Sequence, residues 1–297
     1  MTYFDPKVLT GLKNLYLRAR FVVDGVMVGI HPSQAKGLSS EFEEHRGYSQ
    51  GDEVRHIDWK AYAKFDRYFI KEYREATNLR AYIVMDSSSS MGYASDGWSK
   101  FDYGSTLAAS LAYLMLKQQD AVGLITFSNR IEKIIHPKAT RDHLFALLKE
   151  LEDRTPQGET SVASVLQELA ASLKRRGLVI LISDLLDRSE EVVKGLKQLR
   201  SRGSDVMVFH VLDRDELQFP FKEPTLFQDM EEDLKLLADP QAIRSTYLDT
   251  IRSLIDEYRR SCTSALIDYS LFDTSIGLDR GLMRYLTWRE KFRSART

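Results

Sequence analysis

The chain from residue 81 to residue 93, AYIVMDSSSSMGY, places a carboxylate and a row of hydroxyl groups directly after an apolar run. Aspartate and serine are common in turns and at helix N-termini, so one interpretation is purely structural. The other interpretation is a site for a hard cation, because such ions prefer oxygen ligands. The remaining segments of the chain have to decide between the two.

Two further segments offer oxygen ligands in comparable positions. One candidate ends the apolar run LVILISD, and another lies in the loop TPQGET, ahead of the helical pattern SVASVL. In a parallel α/β sheet, ligands bind beyond the carboxyl ends of the strands, so these segments meet if their strands are neighbours. The predicted ligands are Asp86, Ser88, Ser90, Thr160 and Asp184. Because this set has carboxylates and hydroxyls but no imidazole or thiolate, it suits Mg²⁺ best, or Mn²⁺ by the same logic.

The elements that would position these ligands follow from the hydrophobic pattern after residue 80. Short apolar runs such as RAYIVMD, AVGLITF, LVILISD and DVMVFHVLD alternate with segments whose apolar residues recur at helical spacing. This alternation predicts an α/β fold, with a mostly parallel, Rossmann-like sheet and helices on both faces. The run NRIEKIIHP, which ends at Pro137, predicts a short strand at the edge of the sheet.

Two parts of the chain depart from this alternation. Residues 213–262 predict a loop, a hairpin with its turn near residues 231–233, and a long helix that begins at Pro240. Residues 1–77 begin with an amphipathic helix and are then dense in charge, glycine and aromatic side chains. We therefore predict an N-terminal charged segment, residues 1–77, packed on a main domain, residues 78–297, with an inserted hairpin and helix at about 213–262.

The composition excludes several classes of protein. The 297 residues include 42 basic and 43 acidic side chains, so net charge gives no reason to expect nucleic acid as a partner. The single cysteine, Cys262, excludes an internal disulfide and fits a reducing compartment. No secretory signal is visible, and the longest uncharged helical stretch has 14 residues, fewer than the about 20 that cross a bilayer. We expect a cytoplasmic protein without a transmembrane segment, which a partner could still recruit to a membrane.

The sequence lacks the signatures of several common enzyme classes. It has no G-x-x-x-x-G-K-[ST] phosphate loop, no G-x-S-x-G nucleophile motif and no H-E-x-x-H zinc motif. A phosphotransferase with Asp86 as its nucleophile would usually have a second acid two residues later, where this chain has Ser88. We therefore expect that the protein is not an enzyme.

The segments DSSSSM, GET and ISD resemble, in the expected order, the metal-ion-dependent adhesion site of von Willebrand factor A domains. This resemblance implies that the same five residues are the metal ligands: Asp86, Ser88, Ser90, Thr160 and Asp184. In such domains the hydroxyls bind the ion directly, whereas the carboxylates bind directly or through water. The resemblance also implies one open coordination position, which an acidic side chain of a protein partner would fill.

A longer motif precedes the first strand of the predicted sheet. It reads R-x-Y-x-x-G-D-x-x-R-x-I-D-W, and its residues are Arg46, Tyr48, Gly51, Asp52, Arg55, Ile57, Asp58 and Trp59. With it, nearly the whole chain resembles domain-of-unknown-function family fifty-eight, von Willebrand A-like proteins that are often encoded beside MoxR-type AAA+ ATPases. The motif is either a structural tie, with Asp–Arg pairs and Trp59 as an apolar anchor, or a docking surface for the ATPase or a cargo protein.

This resemblance implies a metal-dependent protein-binding adaptor that works with a MoxR-type ATPase to assemble, remodel or activate other proteins. The alternative is a hydrolase that uses the metal to activate water on a phosphate or an ester, and it would need a general base near the metal. A third hypothesis is a structural domain whose metal site is vestigial, which metal titration would separate from the other two.

Overall fold

Helices and strands alternate after residue 79, as the hydrophobic pattern predicts. The computed structural model describes residues 9, 11–12, 14–29, 45–48, 57, 59–71, 79–173, 176–231 and 234–294. The chain divides into two compact units, one made of Met1–Gly29 and Leu79–Thr297 and the other of Ile30–Asn78. The smaller unit ends close to the boundary predicted at residue 78, whereas the first helix belongs with the main unit.

The bounds of the described elements are as follows. The helices are α1 (Leu15–Gly29), α2 (Trp59–Phe65), α3 (Lys100–Lys117), α4 (Arg141–Asp153), α5 (Val162–Ser172), α6 (Ser189–Ser201), α7 (Arg214–Gln218), α8 (Pro240–Ser264) and α9 (Asp279–Ser294). The strands are β1 (His45–Gly47), β2 (Phe69–Lys71), β3 (Arg80–Asp86), β4 (Ala121–Phe127), β5 (Ile131–Lys138), β6 (Leu178–Ser183), β7 (Asp205–Leu212), β8 (Thr225–Gln228), β9 (Lys235–Ala238) and β10 (Asp268–Asp273). A 3₁₀ turn, Ser89–Gly92, follows β3.

A six-stranded sheet lies at the centre of the main unit, with the strand order β10-β7-β6-β3-β4-β5. Five of its strands run parallel, and β5 pairs antiparallel with β4 at one edge. Strands β4, β6 and β7 are buried along nearly their whole length, which explains why their sequences are mostly apolar. The mostly parallel α/β sheet that the sequence predicts is confirmed.

Helices cover both faces of this sheet. On one face, Leu181 of β6 and Leu196 of α6 belong to a core cluster that α5 and α8 also join. On the other face, α3 approaches the strands closely because Gly104 has no side chain. A Cβ atom at Gly104 would come within 2.7 Å of Met85 Cε and 3.2 Å of Ile182 Cγ2. Both layers hold the carboxyl ends of β3 and β6 in fixed positions.

The long helix α8 is part of the sheet architecture. It connects β7 with β10, which pair in parallel, so it serves as the crossover between these two strands. Its side chains Tyr258 and Cys262 lie in the same core cluster as α5 and α6. Within the segment 213–262, which we predicted as an insertion, α7 and the β8–β9 hairpin interrupt the alternation of strands and helices, whereas α8 is part of it. Pro240 begins α8 as predicted, and the Asp239 side chain caps it by accepting from the Gln241 amide at 3.0 Å.

The smaller unit contains those residues of the N-terminal motif that are described. Strands β1 and β2 pair antiparallel, with Arg46 opposite Ile70. The rings of Tyr62 and Tyr68 stack with their centroids 4.6 Å apart, and the Trp59 ring meets Tyr62 edge to face. The side chain of Trp59 is 58% exposed. Gly51, Asp52, Arg55 and Asp58 lie outside the described residues.

Two further observations concern the thiol and the helices. Cys262 is buried in the core, and burial raises the pKa of its thiol to about 12, which makes it unreactive near neutral pH. This agrees with a packed structural thiol.

Within the described ranges, we find no helix that combines the length and the apolar character needed to cross a bilayer.

Candidate metal centre

The neighbouring parallel strands β3 and β6 bring the two candidate carboxylates to one edge of the sheet. Their register pairs Met85 with Ile182, so Asp86 and Asp184 both follow at the carboxyl ends of adjacent strands. Between Ile182 and Asp184, Ser183 donates its hydroxyl to Asp86 Oδ2 at 2.6 Å. The strand ends that the sequence selects therefore meet in space.

The loop after β3 folds back over Asp86 and directs two serines into the same place. The amide and the hydroxyl of Ser88 both donate to Asp86 Oδ1, at 2.9 and 2.7 Å. The Ser88 hydroxyl also lies 3.1 Å from the Ser90 hydroxyl, and Ser90 in turn bonds to Asp184. Asp86, Ser88, Ser90 and Asp184 thus form one buried cluster of carboxylate and hydroxyl oxygens.

The carboxylate of Asp86 forms no ion pair with a basic side chain among the described residues. It is fully buried, and it accepts from the amide and hydroxyl of Ser88 and from the hydroxyl of Ser183. Burial raises the pKa of Asp86 to about 7, the negative charge of Asp184 adds to the increase, and the hydrogen bonds offset only part of it. A cation bound beside Asp86 would favour its ionised form and relieve this penalty.

Asp184 differs from Asp86 because an ammonium group lies against it. Lys100, in the first turn of α3, is fully buried and donates to Asp184 Oδ2 at 2.8 Å and to Glu216 Oε1 at 2.6 Å. Burial would raise the pKa of Asp184, but the charge and hydrogen bond of Lys100, with the bond from Ser90, lower it below its ordinary value. Burial would likewise lower the pKa of Lys100, yet its two acidic partners raise it above the ordinary range. Asp184 and Lys100 are therefore a charged pair.

Thr160 lies on a loop that backbone hydrogen bonds hold against the serine loop. The Gln157 amide donates to the Ser87 carbonyl, and the Ser89 amide donates to the Gly158 carbonyl, each at 2.9 Å. Gly158 has a φ of +81°, in the left-handed region that glycine adopts without strain. These contacts place the loop beside the Asp86 cluster.

The side chain of Thr160 bonds to an acid outside the predicted ligand set. Its hydroxyl donates to Glu231 Oε1 at 2.7 Å, and its amide donates to Glu231 Oε2 at 2.8 Å. Glu231 belongs to the acidic run DMEED between β8 and β9. Together with Ser90 and Lys100, it lines a cavity of about 310 Å³ beside the cluster. In the described part of the chain, Thr160 thus reaches the edge of the site but is hydrogen-bonded to Glu231 rather than to the four clustered ligands.

The chemistry of these side chains fits a hard divalent cation. Lys100 pairs with Asp184 and Glu216, whereas Asp86 has no basic partner among the described residues, so formally two negative charges remain unbalanced over these three carboxylates. A divalent cation brings the charge that balances them, and carboxylate and hydroxyl oxygens are ligands that Mg²⁺ and Mn²⁺ accept. Over the described ranges, no three His, Cys, Asp or Glu side chains are grouped as a metal site. The candidate centre instead combines two carboxylates with hydroxyl groups.

Four side chains of this site were not among the predicted ligands: Ser183, Lys100, Glu216 and Glu231. Ser183 precedes Asp184 in the segment ISD, so the pairing of β3 with β6 could have indicated it. Lys100 contacts residues 84 and 116 positions away, and no local pattern marks such contacts. Glu231 is one of several acids in a short run, and the sequence does not distinguish which of them reaches Thr160.

The chain is similar to a protein family and to proteins whose descriptions state no activity. A family model described as "Protein of unknown function DUF58" matches residues 44–254, most of the chain. Uncharacterized proteins of Mycobacterium bovis and Mycobacterium tuberculosis are each 26% identical over 233 residues, which covers 76% of this chain and 72% of theirs.

Comparison with solved structures concerns the fold. An aerotolerance-related membrane protein of Bacteroides fragilis is 19% identical with a TM-score of 0.50, and the match covers 70% of this chain and 98% of that one. The VWA domain of SpRpn10 is 11% identical with a TM-score of 0.42, over 69% of this chain and 94% of that one. At a TM-score of 0.50, the match to the Bacteroides fragilis protein supports the predicted von Willebrand A-like arrangement, for the fold alone.

Proposed function

This chain belongs to the DUF58 family and has a von Willebrand A-like fold, and from that premise we propose that it is a metal-dependent protein-binding adaptor. The residues that would hold Mg²⁺ or Mn²⁺ are Asp86, Ser88, Ser90, Thr160 and Asp184. When bound, the ion supplies a positive charge to which an acidic side chain of a partner protein binds. The proposed role contains no catalytic step.

The observation that carries this proposal is the uncompensated carboxylate of Asp86. It is fully buried, its partners among the described residues are hydroxyl and amide groups, and its pKa is raised to about 7. A buried charge of this kind costs free energy unless a cation balances it. The neighbouring hydroxyls of Ser88 and Ser90 add the neutral oxygen ligands that a hard cation accepts, so the cost has a functional explanation.

Lys100 would make this centre more attractive to an acidic partner. Its ammonium group already offsets the charge of Asp184 at 2.8 Å, so the charge of a bound ion would be balanced mainly by Asp86. An ion balanced by one carboxylate attracts an incoming carboxylate more strongly than an ion balanced by two. This favours an acidic side chain as the partner's contribution.

We further propose that a MoxR-type AAA+ ATPase is the partner whose acidic side chain binds at the metal, and that the smaller unit offers it a second docking surface. The resemblance of the chain to its family suggests the identity of the ATPase. The exposed rings of Tyr48, Trp59 and Tyr68 support docking, because tryptophan and tyrosine are enriched at protein interfaces. We place this complex in the cytoplasm, in keeping with the single cysteine of the chain.

Calorimetric titration with Mg²⁺ and with Mn²⁺ tests the metal part of the proposal. The wild type should bind a single ion, and Asp86→Asn should lose this binding because it removes the charge while keeping the size of the side chain. Asp142→Asn changes an exposed acid at the start of α4, serves as the matched control, and should bind like the wild type.

The two unfavourable outcomes have different meanings. Equal binding by the wild type and Asp86→Asn would mean that the ion binds elsewhere, and it would refute the assignment of these ligands. No binding by the wild type at millimolar ion concentrations would refute the metal-dependent function itself and favour a purely structural domain.

A further inference from the structure

Glu231 binds Thr160, which lies 71 positions earlier in the chain, through both oxygens of its carboxylate. One oxygen of Glu231 accepts from the Thr160 hydroxyl at 2.7 Å, and the other accepts from the Thr160 amide at 2.8 Å. The Glu231 amide donates to Asp229 Oδ1 at 2.7 Å, which orients this end of the hairpin. A carboxylate therefore already lies against one of the five candidate metal ligands.

Glu231 also shares its surroundings with the rest of the candidate centre. It lines the cavity of about 310 Å³ to which Ser90, Lys100 and Glu216 also contribute. Ser90 bonds to Asp184, and Lys100 donates to the same carboxylate at 2.8 Å. The acid thus lines the same cavity as the proposed ligand Ser90, and it binds the proposed ligand Thr160.

The hairpin that carries Glu231 is held by few apolar contacts of its own. Its paired side chains Leu226 and Leu237 lie on one face and are 59% and 70% exposed. On its opposite face, Phe227 packs against the ring of Phe219 with the centroids 5.7 Å apart. Segments that bury little apolar surface open at low free-energy cost, so this hairpin can move without disturbing the sheet.

We propose that Glu231 is an internal carboxylate ligand of the candidate metal centre and that a partner's acidic side chain has to displace it. This inference rests on the proposed function and adds a regulation to it, because the hairpin and the partner compete for one position. The competition makes partner binding depend on how readily the hairpin leaves. It also keeps the centre from capturing acidic side chains of other proteins at random.

Water-proton relaxation of the Mn²⁺-loaded protein tests this inference, because relaxation increases with the number of water molecules bound to the ion. We compare the wild type with Glu231→Gln and with Glu223→Gln. The second variant is a matched control, because it removes an exposed acid from the segment between β7 and α8 that also carries Glu231. In Glu231→Gln, water should replace the carboxylate, so relaxation per bound ion rises and Mn²⁺ affinity falls by roughly tenfold, as expected for one charge-assisted contact. The control should match the wild type.

Added acetate provides the second reading, since it is the simplest external carboxylate. It should reverse the increased relaxation of Glu231→Gln and leave the wild type unchanged, because only the variant has a vacant position. Equal relaxation and equal affinity in the wild type and Glu231→Gln would overturn this inference while leaving the proposed function intact. No Mn²⁺ binding by the wild type would overturn both.

Discussion

Two aspartates at neighbouring strand ends differ in pKa because their immediate partners differ. In the described part of the chain, the donors to Asp86 are hydroxyl and amide groups, and burial raises its pKa to about 7. Asp184 is buried to the same extent, but the Lys100 ammonium group outweighs the effect of burial and lowers the pKa of Asp184. A residue's type and its position at a strand end therefore do not determine its charge state. The side chain that arrives from a distant helix does.

The first prediction concerns stability against pH without metal. The pKa of Asp86 is about 7 in the folded protein and close to its ordinary 3.8 when unfolded, so the folded state binds more protons between these values. The free energy of unfolding should therefore fall as pH rises from about 4 to about 7 and level off above. Urea unfolding in chelator at several pH values measures this. Asp86→Asn should show a smaller fall, and equal slopes for both proteins would contradict the raised pKa.

The second prediction concerns Lys100. Lys100→Met leaves Asp184 and Glu216 without their buried cation, so it should cost about 3–5 kcal/mol of stability in metal-free protein. The same change should raise the affinity for Mg²⁺, because one more carboxylate is then uncompensated near the ion. Urea unfolding and calorimetry measure the two effects. Lys117→Met is the control, since Lys117 lies 3.9 Å from Asp24 in an exposed pair worth under about 1 kcal/mol. A Lys100→Met protein as stable as this control would show that the buried pair is not needed.

At the scale of elements, a buried ion pair between Arg289 and Asp120 holds helix α9 against the sheet. Arg289 of α9 forms two hydrogen bonds with the carboxylate of Asp120, one of them at 3.0 Å, just before β4 begins. The Tyr285 hydroxyl and the Leu79 amide also donate to Asp120, each at 3.3 Å. The strands β3 and β4 and the helix thus share one carboxylate.

The third prediction follows from this shared carboxylate. Asp120→Ala should lower the free energy of unfolding by about 3–5 kcal/mol, because it leaves the buried guanidinium of Arg289 without its partner. Arg284→Ala, which removes a partly exposed pair with Asp268 from the same helix, should cost under about 1 kcal/mol. Urea unfolding of both variants makes the comparison. Similar losses would mean that α9 is held by its apolar contacts instead.

Elements could be predicted from the sequence where local pattern and tertiary packing agree. The buried strands β4, β6 and β7 are mostly apolar, and Pro240 and Asp239 mark the start of α8, so these elements were predictable. The role of α8 as the crossover from β7 to β10 could not be predicted, because the β8–β9 hairpin separates α8 from β7 in the sequence. The contacts of Lys100 with Asp184 and of Glu231 with Thr160 could not be predicted either, because each joins residues far apart in the sequence and no local pattern marks it.

At the scale of the whole molecule, the last prediction concerns binding of a purified MoxR-type ATPase. If the metal face is the interface, removing the ion with chelator should weaken binding by about 2–5 kcal/mol while circular dichroism shows the fold unchanged. Thr160→Ala removes a proposed ligand and should weaken binding in Mg²⁺, and chelator should then have little further effect. Glu231→Gln should bind more tightly than the wild type in Mg²⁺, because no internal acid has to be displaced. Trp59→Ala tests the smaller unit separately, since loss of docking there should not change Mg²⁺ affinity. Equal affinity for the wild type and Thr160→Ala, each with and without chelator, would show that the metal face is not the interface, and the adaptor mechanism would fall.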